Sequence, residues 1–196
     1  MKTLVVFDFD DTLFYSGARI KVTHPGEKSK YLDTHEYAVY PPRPKDEFDY
    51  SEFGIYPPNP EPIAKTLKAL RSAVFRHGID DVVILTARGD AAPVEQVLEN
   101  FGVPPIEIIA IGSSDPEDKA DEVERMVAEK GYESVVLYED SSPNIRAIRQ
   151  RIEPLLGDKF IAHRVHSTDK GVRLKREGLT LDLRAAQKVS ALFGLM

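Results

Sequence analysis

Three acidic residues, Asp8, Asp10 and Asp11, follow a short apolar run near the start of the chain, and Glu139 and Asp140 follow another. Carboxylates at the end of a buried strand repel one another and lose hydration. A fold keeps them together only if a cation lies among them or one carboxyl holds a proton. Oxygen ligands without His or Cys suit a hard cation such as Mg²⁺, bound by one or two carboxylates together with waters and a substrate phosphate.

Cationic and hydroxyl side chains that suit a phosphate follow in the same sequence. Lys119 lies in the first turn of a helix predicted to open at Asp115, where the helix dipole disfavours a lysine. Its place 21 residues before Asp140 favours a functional role over that of a solvated surface lysine. Lys130, near the end of that helix, is the alternative. Thr86 can donate its hydroxyl to a phosphate oxygen, and Arg88 offers a planar fork suited to phosphate. The alternative for Thr86 is an ordinary β-branched strand residue, and the alternative for Arg88 is a surface arginine.

Five apolar segments alternate with amphipathic helices, and this predicts a parallel α/β sheet with right-handed crossovers. In such sheets ligands bind outside the carboxyl ends of the strands, where all of the acidic, hydroxyl and cationic residues above fall. The predicted strands are residues 4–7, 82–85, 106–111, 135–137 and 160–162. The predicted helices begin at Asn59-Pro60, Asp90, Asp115-Pro116, Ser142-Pro143 and Thr180.

Residues 15–59 are rich in proline and aromatic side chains, and we interpret them as an insertion or cap with little regular structure. We expect residues 1–196 to form a single domain. The last predicted helix, in a tail at 180–196, is expected to dock on the body of that domain. A dimer contact is the alternative for this helix, so the protein is expected to be a monomer or a weak homodimer.

Four short motifs in this order resemble those of the haloacid dehalogenase-like superfamily of phosphohydrolases. They are DFDDT at 8–12, LTAR at 85–88, Lys119, and EDS at 139–141. The resemblance covers about residues 1–166 apart from the insertion, and an aspartate at position 10 marks the phosphatase and phosphotransferase branch. The tract LDTHEYAVY…FDYSEF resembles the insertion of bacteriophage-type members.

The resemblance implies a phosphomonoester phosphatase with an aspartyl-phosphate intermediate. Asp8 would attack phosphorus, and Asp10 would protonate the leaving oxygen and then take a proton from the hydrolytic water. Thr86 and Lys119 would hold the phosphoryl oxygens, and Arg88 is a further substrate-binding candidate.

The resemblance also implies how Mg²⁺ is bound. Its ligands would be the Asp8 carboxylate, the Asp10 carbonyl and Asp140, with Glu139 reaching it through water. Glu139 departs from the pair of aspartates that the fourth motif often has. We expect a Rossmann-like three-layer fold with strand order 3-2-1-4-5 and a small irregular insertion after the first strand.

An insertion this short leaves an open site, and the resemblance implies that open sites of this superfamily act on bulky substrates such as proteins or nucleic-acid termini. The expected substrate is therefore a nucleic-acid terminal phosphate, ahead of a nucleotide or a small metabolite. The net charge of −6 argues against bulk nucleic-acid binding, yet residues 15–31 and 159–188 are basic and would steer an anionic substrate, unless they are ordinary solvated faces. Tyrosines of the insertion would stack on a base or form its own small core. These tyrosines are Tyr15, Tyr31, Tyr37 and Tyr40. His163 and His166 would touch substrate or, as the simpler interpretation, pack in the fold.

Composition excludes several other classes. With no cysteine there is no disulfide, thiolate metal site or cysteine nucleophile. No run of about 18 apolar residues and no signal-peptide pattern occur, so we expect a cytoplasmic protein without a membrane partner. A phosphotransferase and a non-catalytic phosphate-binding module remain alternatives. A receiver-type signalling domain is excluded, because its phosphorylated aspartate ends the third strand, which here ends at Ile111-Gly112-Ser113.

Overall fold

The computed structural model describes residues 1–166 and 171–177. The helix predicted to begin at Thr180 lies outside the described residues. The strands are β1 (Thr3–Phe7), β2 (Phe14–Tyr15), β3 (Ile20–Thr23), β4 (Lys30–Leu32), β5 (Glu47–Asp49), β6 (Glu61–Pro62), β7 (Val82–Thr86), β8 (Glu107–Ala110), β9 (Ser134–Glu139), β10 (Phe160–His166) and β11 (Arg173–Glu177). The helices are α1 (Thr34–Ala38), α2 (Ala64–His77), α3 (Ala92–Asn100), α4 (Pro116–Lys130) and α5 (Ser142–Leu156), with 3-10 turns at Ser51–Gly54, Ile79–Asp81 and Gly157–Lys159.

The central sheet has six strands in the order β11-β10-β9-β1-β7-β8, and it is parallel except for β11. The mostly parallel α/β class predicted from the sequence is confirmed, and the architecture is compatible with a Rossmann-like fold. The predicted order of five strands does not describe the whole sheet, because β11 adds an antiparallel edge strand beside β10. This strand, RLKRE, lacks the apolar run that reveals a buried strand.

Helices cover both faces of the sheet, so the core has two halves. Alternate residues of β1 point to opposite faces, as in any strand. Leu4 and Val6 pack with Val123 of α4 and Ile148 of α5. On the other face, Val5 and Phe7 pack with apolar residues that include Leu70 of α2 and Val97 of α3. The carboxyl end of β1 is thereby fixed in the middle of the molecule, between β7 and β9.

The prediction of little regular structure in the insertion is wrong. Strands β3, β4 and β5 form a three-stranded antiparallel sheet, in the order β4-β3-β5, and helix α1 follows β4. In β3 the buried Ile20 and Val22 alternate with Lys21 and Thr23, which is the period-two pattern of a half-buried strand. The strand is only four residues long, so this pattern is weak when the sequence is examined alone.

Helix α2 begins at Ala64, later than the Asn59-Pro60 start predicted from the sequence. Residues 61 and 62 instead form β6, which pairs with β2 at the base of the insertion. The Ile63 N–H then donates to the Leu13 carbonyl at 2.8 Å, so this segment is bonded to the loop after β1. The predicted starts of α4 and α5 are confirmed, with Asp115 and Ser141 as their N-caps.

Within residues 1–166 and 171–177, no helix is both long enough and apolar enough to cross a membrane.

Candidate active site

Asp8 lies at the carboxyl end of the central strand, one residue beyond β1. Its backbone N–H donates to the Tyr138 carbonyl at 3.0 Å, so the ladder between β1 and β9 continues through this position. The side chain is only 6% exposed. Asp8 is therefore held by the sheet itself, and not by a loose loop.

Lys119 reaches Asp8 from helix α4. Its Nζ donates to Asp8 Oδ1 at 2.7 Å and to Glu139 Oε2 at 2.9 Å, and the residue is 3% exposed. The same side of α4 buries Ala120 and Val123, so the amphipathic pattern of this helix turns Lys119 inwards. Lys130, the alternative lysine, instead pairs with Glu107 on the surface.

The buried ion pair determines the charge of Lys119. Burial alone lowers the pKa of a lysine, because it disfavours the charged ammonium. Here the carboxylates of Asp8 and Glu139 outweigh burial and raise the pKa of Lys119 above its ordinary value. The ammonium therefore stays protonated at neutral pH.

Three carboxyl groups converge beside this ammonium. Asp8, Glu139 and Asp140 each offer an oxygen, and the three oxygens lie within 4.8 Å of one another. The Ser141 N–H donates to Glu139 Oε1 at 3.1 Å, and the Thr12 hydroxyl lies 3.4 Å from Asp140 Oδ1. Asp8, Glu139 and Asp140 thus meet at the ends of β1 and β9, whereas Asp10, predicted to converge with them, is not part of this cluster.

This cluster carries more negative charge than Lys119 balances. Burial, and next the Glu139 carboxylate, raise the pKa of Asp8 to about 7. Burial, and then the carboxylates of Glu139 and Asp8, raise the pKa of Asp140 to about 9. The cluster without a metal therefore favours a proton on one of its carboxyl groups, and its all-oxygen donor set is of the kind that a hard cation such as Mg²⁺ prefers.

Asp10 occupies a separate position, paired with Arg88. The Nε and one terminal nitrogen of Arg88 each donate to an Asp10 carboxylate oxygen at 2.8 Å, and the Ser16 hydroxyl donates to Asp10 Oδ1 at 2.5 Å. The other terminal nitrogen of Arg88 donates to the Phe53 carbonyl of the insertion at 2.7 Å. The guanidinium also lies 5.2 Å from the centroid of the Phe9 ring and 5.3 Å from that of Phe53.

Arg88 was predicted to be a surface residue or a phosphate ligand, and the structure buries it in this bidentate pair. It is 3% exposed, and the three donors described above are all engaged. In this arrangement Arg88 therefore positions Asp10, and its guanidinium does not point freely to solvent.

Thr86 is the last residue of β7 and is buried. Its hydroxyl oxygen accepts the Arg88 N–H at 3.2 Å. This contact uses a lone pair, so the hydroxyl hydrogen can still be donated to an oxyanion.

Asp11 connects the loop after β1 to the insertion. Its φ of 57° lies in the left-handed region, which aspartate tolerates better than most residues. The Thr34 hydroxyl, in the first turn of α1, donates to Asp11 Oδ2, and His35 Nδ1 lies 3.8 Å from the same oxygen. Burial raises the pKa of Asp11 above its ordinary value. The insertion is thus attached directly to the loop that carries Asp8 and Asp10.

A cleft of about 670 Å³ lies between the insertion and the loops after β7 and β8. Asp10 and Arg88 form one part of its wall. The insertion contributes Ile20, Tyr37, Tyr50, Ser51, Phe53 and Gly54, and the loops contribute Ala87, Gly89, Asp90, Gly112, Ser113 and Ser114. The volume is within the usual range for small-molecule sites.

The tyrosines of the insertion pack largely on one another. The rings of Tyr37 and Tyr50 meet edge to face with centroids 5.9 Å apart, and their hydroxyls are 2.6 Å apart. Tyr40 and Tyr37 both contact Phe48 edge to face. Tyr37 and Tyr40 thus belong to a small aromatic core, whereas Tyr31 is half exposed with Arg19 over its ring. Tyr37 and Tyr50 also line the cleft.

Acidic partners offset the basic residues of the insertion. Arg19 pairs with Glu52 at 3.5 Å, and Arg43 pairs with Glu27 at 2.9 Å and with Asp46 at 3.6 Å. Within the basic segment 15–31, Arg19 is thus neutralised by Glu52, whereas Glu27, the acid of that segment, is engaged by Arg43 from outside it.

The histidines of β10 were predicted either to touch substrate or to pack in the fold. His163 stacks on Tyr138 with ring centroids 4.7 Å apart. Burial lowers the pKa of both His163 and His166 below the ordinary value. His163 therefore packs against the sheet.

Sequence reasoning missed the residues that hold Asp10 and Asp11 in place. Ser16, Phe53 and Thr34 all belong to the insertion or its entrance, and their contacts to the acids cross loops whose course the local pattern does not reveal. The THEY tract, following the capping aspartate Asp33, was the one available signal for the start of α1.

Comparisons of the chain with protein-family models, with curated proteins and with solved structures gave no match.

Proposed function

We propose that this protein is a Mg²⁺-dependent phosphomonoester phosphatase of the haloacid dehalogenase-like type, acting through an aspartyl-phosphate on Asp8. The observation that carries the proposal is the position of Asp8. Its carboxyl group lies at the carboxyl end of the central strand, 2.7 Å from the Lys119 ammonium and beside Glu139 and Asp140. A nucleophile, a fixed positive charge and an oxygen-only cation site within one small volume suit phosphoryl transfer.

In the first step an Asp8 carboxylate oxygen forms a bond to phosphorus, and the bond from phosphorus to the leaving alcohol oxygen breaks. Asp10 must enter this step carrying a proton, in place of the ionised form that pairs with Arg88, and that proton passes to the leaving oxygen, so the product is a neutral alcohol. The Lys119 ammonium and the Thr86 hydroxyl are the groups that would stabilise charge on the phosphoryl oxygens.

In the second step a water oxygen bonds to phosphorus, and the bond between phosphorus and Asp8 breaks. Asp10 takes the proton from this water, which restores its initial protonation state. Inorganic phosphate leaves, and the Asp8 carboxylate is regenerated. Splitting the displacement in this way replaces one difficult step by two easier ones.

Asp8 and Asp140 would hold the Mg²⁺ through carboxylate oxygens, and Glu139 would contribute from its place between Lys119 and the Ser141 N–H. A bound Mg²⁺ supplies positive charge that neutralises the approach of an anionic carboxylate to an anionic phosphate.

The test is hydrolysis of p-nitrophenyl phosphate by the wild type with Mg²⁺, by the wild type with EDTA, and by Asp8→Asn. Asp121→Asn, at an exposed acid of α4 that pairs with Arg151, is the matched control. We expect turnover only in the wild type and the control with Mg²⁺, together with a hydroxylamine-sensitive phosphoenzyme. Turnover that survives Asp8→Asn in a preparation free of contaminating phosphatase contradicts the nucleophile.

A phosphotransferase would share the first step and differ only in the acceptor. Measuring inorganic phosphate and nitrophenol in the same reaction separates the two activities. Equal amounts identify water as the acceptor, whereas a deficit of phosphate in the presence of an added alcohol identifies transfer.

A further inference from the structure

If the proposed function holds, the cleft beside Asp10 is a cavity for the alcohol portion of a substrate and not for its phosphate, because Asp8, Thr86 and Lys119 do not line it. Asp10 would protonate the leaving oxygen, so the group attached to that oxygen begins next to Asp10. Asp10 and Arg88 are both part of the cleft wall. The residues that line the cleft therefore indicate which class of leaving alcohol the site binds.

One side of the cleft is aromatic. Tyr37, Tyr50 and Phe53 line it, and the rings of Tyr37 and Tyr50 are fixed by their edge-to-face contact and by the 2.6 Å bond between their hydroxyls. Phe53 is fixed by its own carbonyl, which accepts from Arg88 at 2.7 Å. Rigid aromatic surfaces bind planar rings with little loss of conformational entropy.

The other side is mostly backbone and small polar side chains. Gly89 and Gly112 approach closely, such that a Cβ added at Gly112 would lie 3.5 Å from Gly89 Cα. Ser113 and Ser114 follow Gly112 on this wall, and Ser51 lies on the insertion side. A flat group with apolar faces and hydrogen-bonding edges fits between aromatic rings and such a wall.

Charge distinguishes a free nucleotide from the end of a polynucleotide. Binding along a polynucleotide requires unpaired cations that contact successive phosphates. Arg19 and Arg43, on the insertion, are paired with Glu52 and Glu27. These two arginines are therefore engaged by acids and not by phosphates, and the cleft volume of about 670 Å³ is that of a small-molecule site.

We propose that the substrate is a nucleoside monophosphate, with its base between the aromatic wall formed by Tyr37, Tyr50 and Phe53 and the glycine wall formed by Gly89 and Gly112. This inference rests on the proposed function for the location of the phosphate, and it adds the class of the leaving alcohol.

The experiment compares kcat/KM for adenosine 5′-monophosphate and adenosine 3′-monophosphate with that for ribose 5-phosphate, which lacks the base. At least one adenosine phosphate should exceed ribose 5-phosphate by roughly tenfold or more, the usual effect of stacking one base on an aromatic side chain. A 5′-phosphorylated oligonucleotide should be the poorer substrate, and its rate should depend little on ionic strength. An oligonucleotide turned over as well as the mononucleotides would overturn the choice of a free nucleotide.

Variants of Tyr50 test whether the preference for adenosine phosphates over ribose 5-phosphate arises in the cleft. Tyr50→Leu should lower kcat/KM for the preferred adenosine phosphate roughly tenfold more than it lowers that for ribose 5-phosphate, and a folding defect would lower both equally. Tyr50→Phe keeps the ring but loses the hydroxyl bond to Tyr37, so it should keep more of the preference than Tyr50→Leu does. Phe75→Leu, at a 91% exposed ring of α2, is the control and should change neither substrate. A base preference that persists in Tyr50→Leu would overturn the placement of the base.

Calorimetric binding to Asp8→Asn separates this inference from the proposed function. Turnover of aryl phosphate without a preference for adenosine phosphates overturns the inference alone. Tight binding of an adenosine phosphate over ribose 5-phosphate without turnover by the wild type supports the inference about the cleft and contradicts the phosphatase. Absence of both binding and turnover contradicts both.

Discussion

Arg88 holds Asp10 by two N–H···O bonds of 2.8 Å and holds the insertion by a third bond of 2.7 Å to the Phe53 carbonyl. One buried guanidinium thus connects the aspartate proposed to move the proton with the segment that forms the aromatic wall of the cleft. Ser16, at the entrance to the insertion, adds a bond to the same carboxylate. The position of Asp10 therefore depends on the contacts that the insertion makes with Arg88 and with Asp10 itself.

Arg88→Lys should impair proton transfer more than phosphoryl transfer. Lysine is a compact charge that cannot make the bidentate pair, so Asp10 would be misplaced, and misplacement by about 1 Å can cost on the order of 10²-fold in rate. We expect kcat to fall by about that factor for an alkyl phosphate. It should fall much less for p-nitrophenyl phosphate, whose leaving group departs without a proton.

Steady-state kinetics on both substrates measure this difference. Arg125→Lys, in an exposed pair with Glu122 and Glu129 on α4, is the control and should match the wild type. An equal fall on both substrates would mean that Arg88 does not act through Asp10.

Lys119→Met should destabilise the metal-free protein strongly. It leaves the buried carboxyl groups of Asp8 and Glu139 without their cation, and removing one partner of a buried pair costs about 3–5 kcal/mol. Urea denaturation in EDTA measures the free energy of unfolding. Adding Glu139→Gln to Lys119→Met should recover part of the loss, because it removes one uncompensated charge.

Lys130→Met is the control for this change. Its ammonium pairs with Glu107 in an exposed position, and such pairs contribute about 0–1 kcal/mol. Similar losses in Lys119→Met and Lys130→Met would show that the buried ammonium contributes no more than a surface one.

Mg²⁺ should stabilise the folded protein through the cluster of Asp8, Glu139 and Asp140. At a concentration one hundred times its Kd, a ligand bound only to the native state adds about 2.7 kcal/mol, or roughly 5 to 10 °C in Tm for a chain of this size. Thermal denaturation with MgCl₂, compared with NaCl at equal ionic strength, measures the shift. Asp140→Asn should abolish most of it, and Asp121→Asn should retain it. A full shift in Asp140→Asn would place the ion elsewhere.

His163 should make stability fall as the pH drops below about 6.5. Burial, and next Arg176, lower the pKa of His163 in the folded protein below the ordinary 6.5. In that window the unfolded chain binds more protons than the native one, so the contribution is present above pH 6.5 and is lost as the pH falls. The free energy of unfolding should drop less between pH 7.5 and 5.5 in His163→Gln than in the wild type.

The interval between pH 7.5 and 8.5 provides the control for this comparison, because the ring is neutral there in both states. Wild type and His163→Gln should change equally over it. An identical drop toward pH 5.5 in the two proteins would show that His163 does not contribute to the acid sensitivity.

Local patterns in the sequence predicted the central layer correctly. The apolar runs at β1, β7 and β9 are buried on both faces of a parallel sheet, so they are visible without any partner. Asp115 and Ser141 cap helices because capping depends on residues two or three positions away. Because the carboxyl ends of parallel strands share one edge of a sheet, the sequence predicted that Asp8, Thr86 and Asp140 lie at the same edge.

Contacts between segments that are distant in the sequence could not be predicted from these local patterns. The sheet of the insertion depends on pairing between short strands that carry little periodic signal, and β11 is a charged edge strand stabilised by pairing with β10. Arg88 meets Asp10 across 78 positions and Phe53 across 35, so its sequence neighbours do not indicate either partner.

The sequence by itself determined the chemistry available at the sheet edge, because residue type and strand end are local properties. The tertiary structure decided which of these side chains contact one another. It buried Arg88 against Asp10, placed Lys119 between Asp8 and Glu139, and closed a cleft beneath the insertion. Burial and charge pairing act between atoms that are neighbours in space, and only the folded chain defines those neighbours.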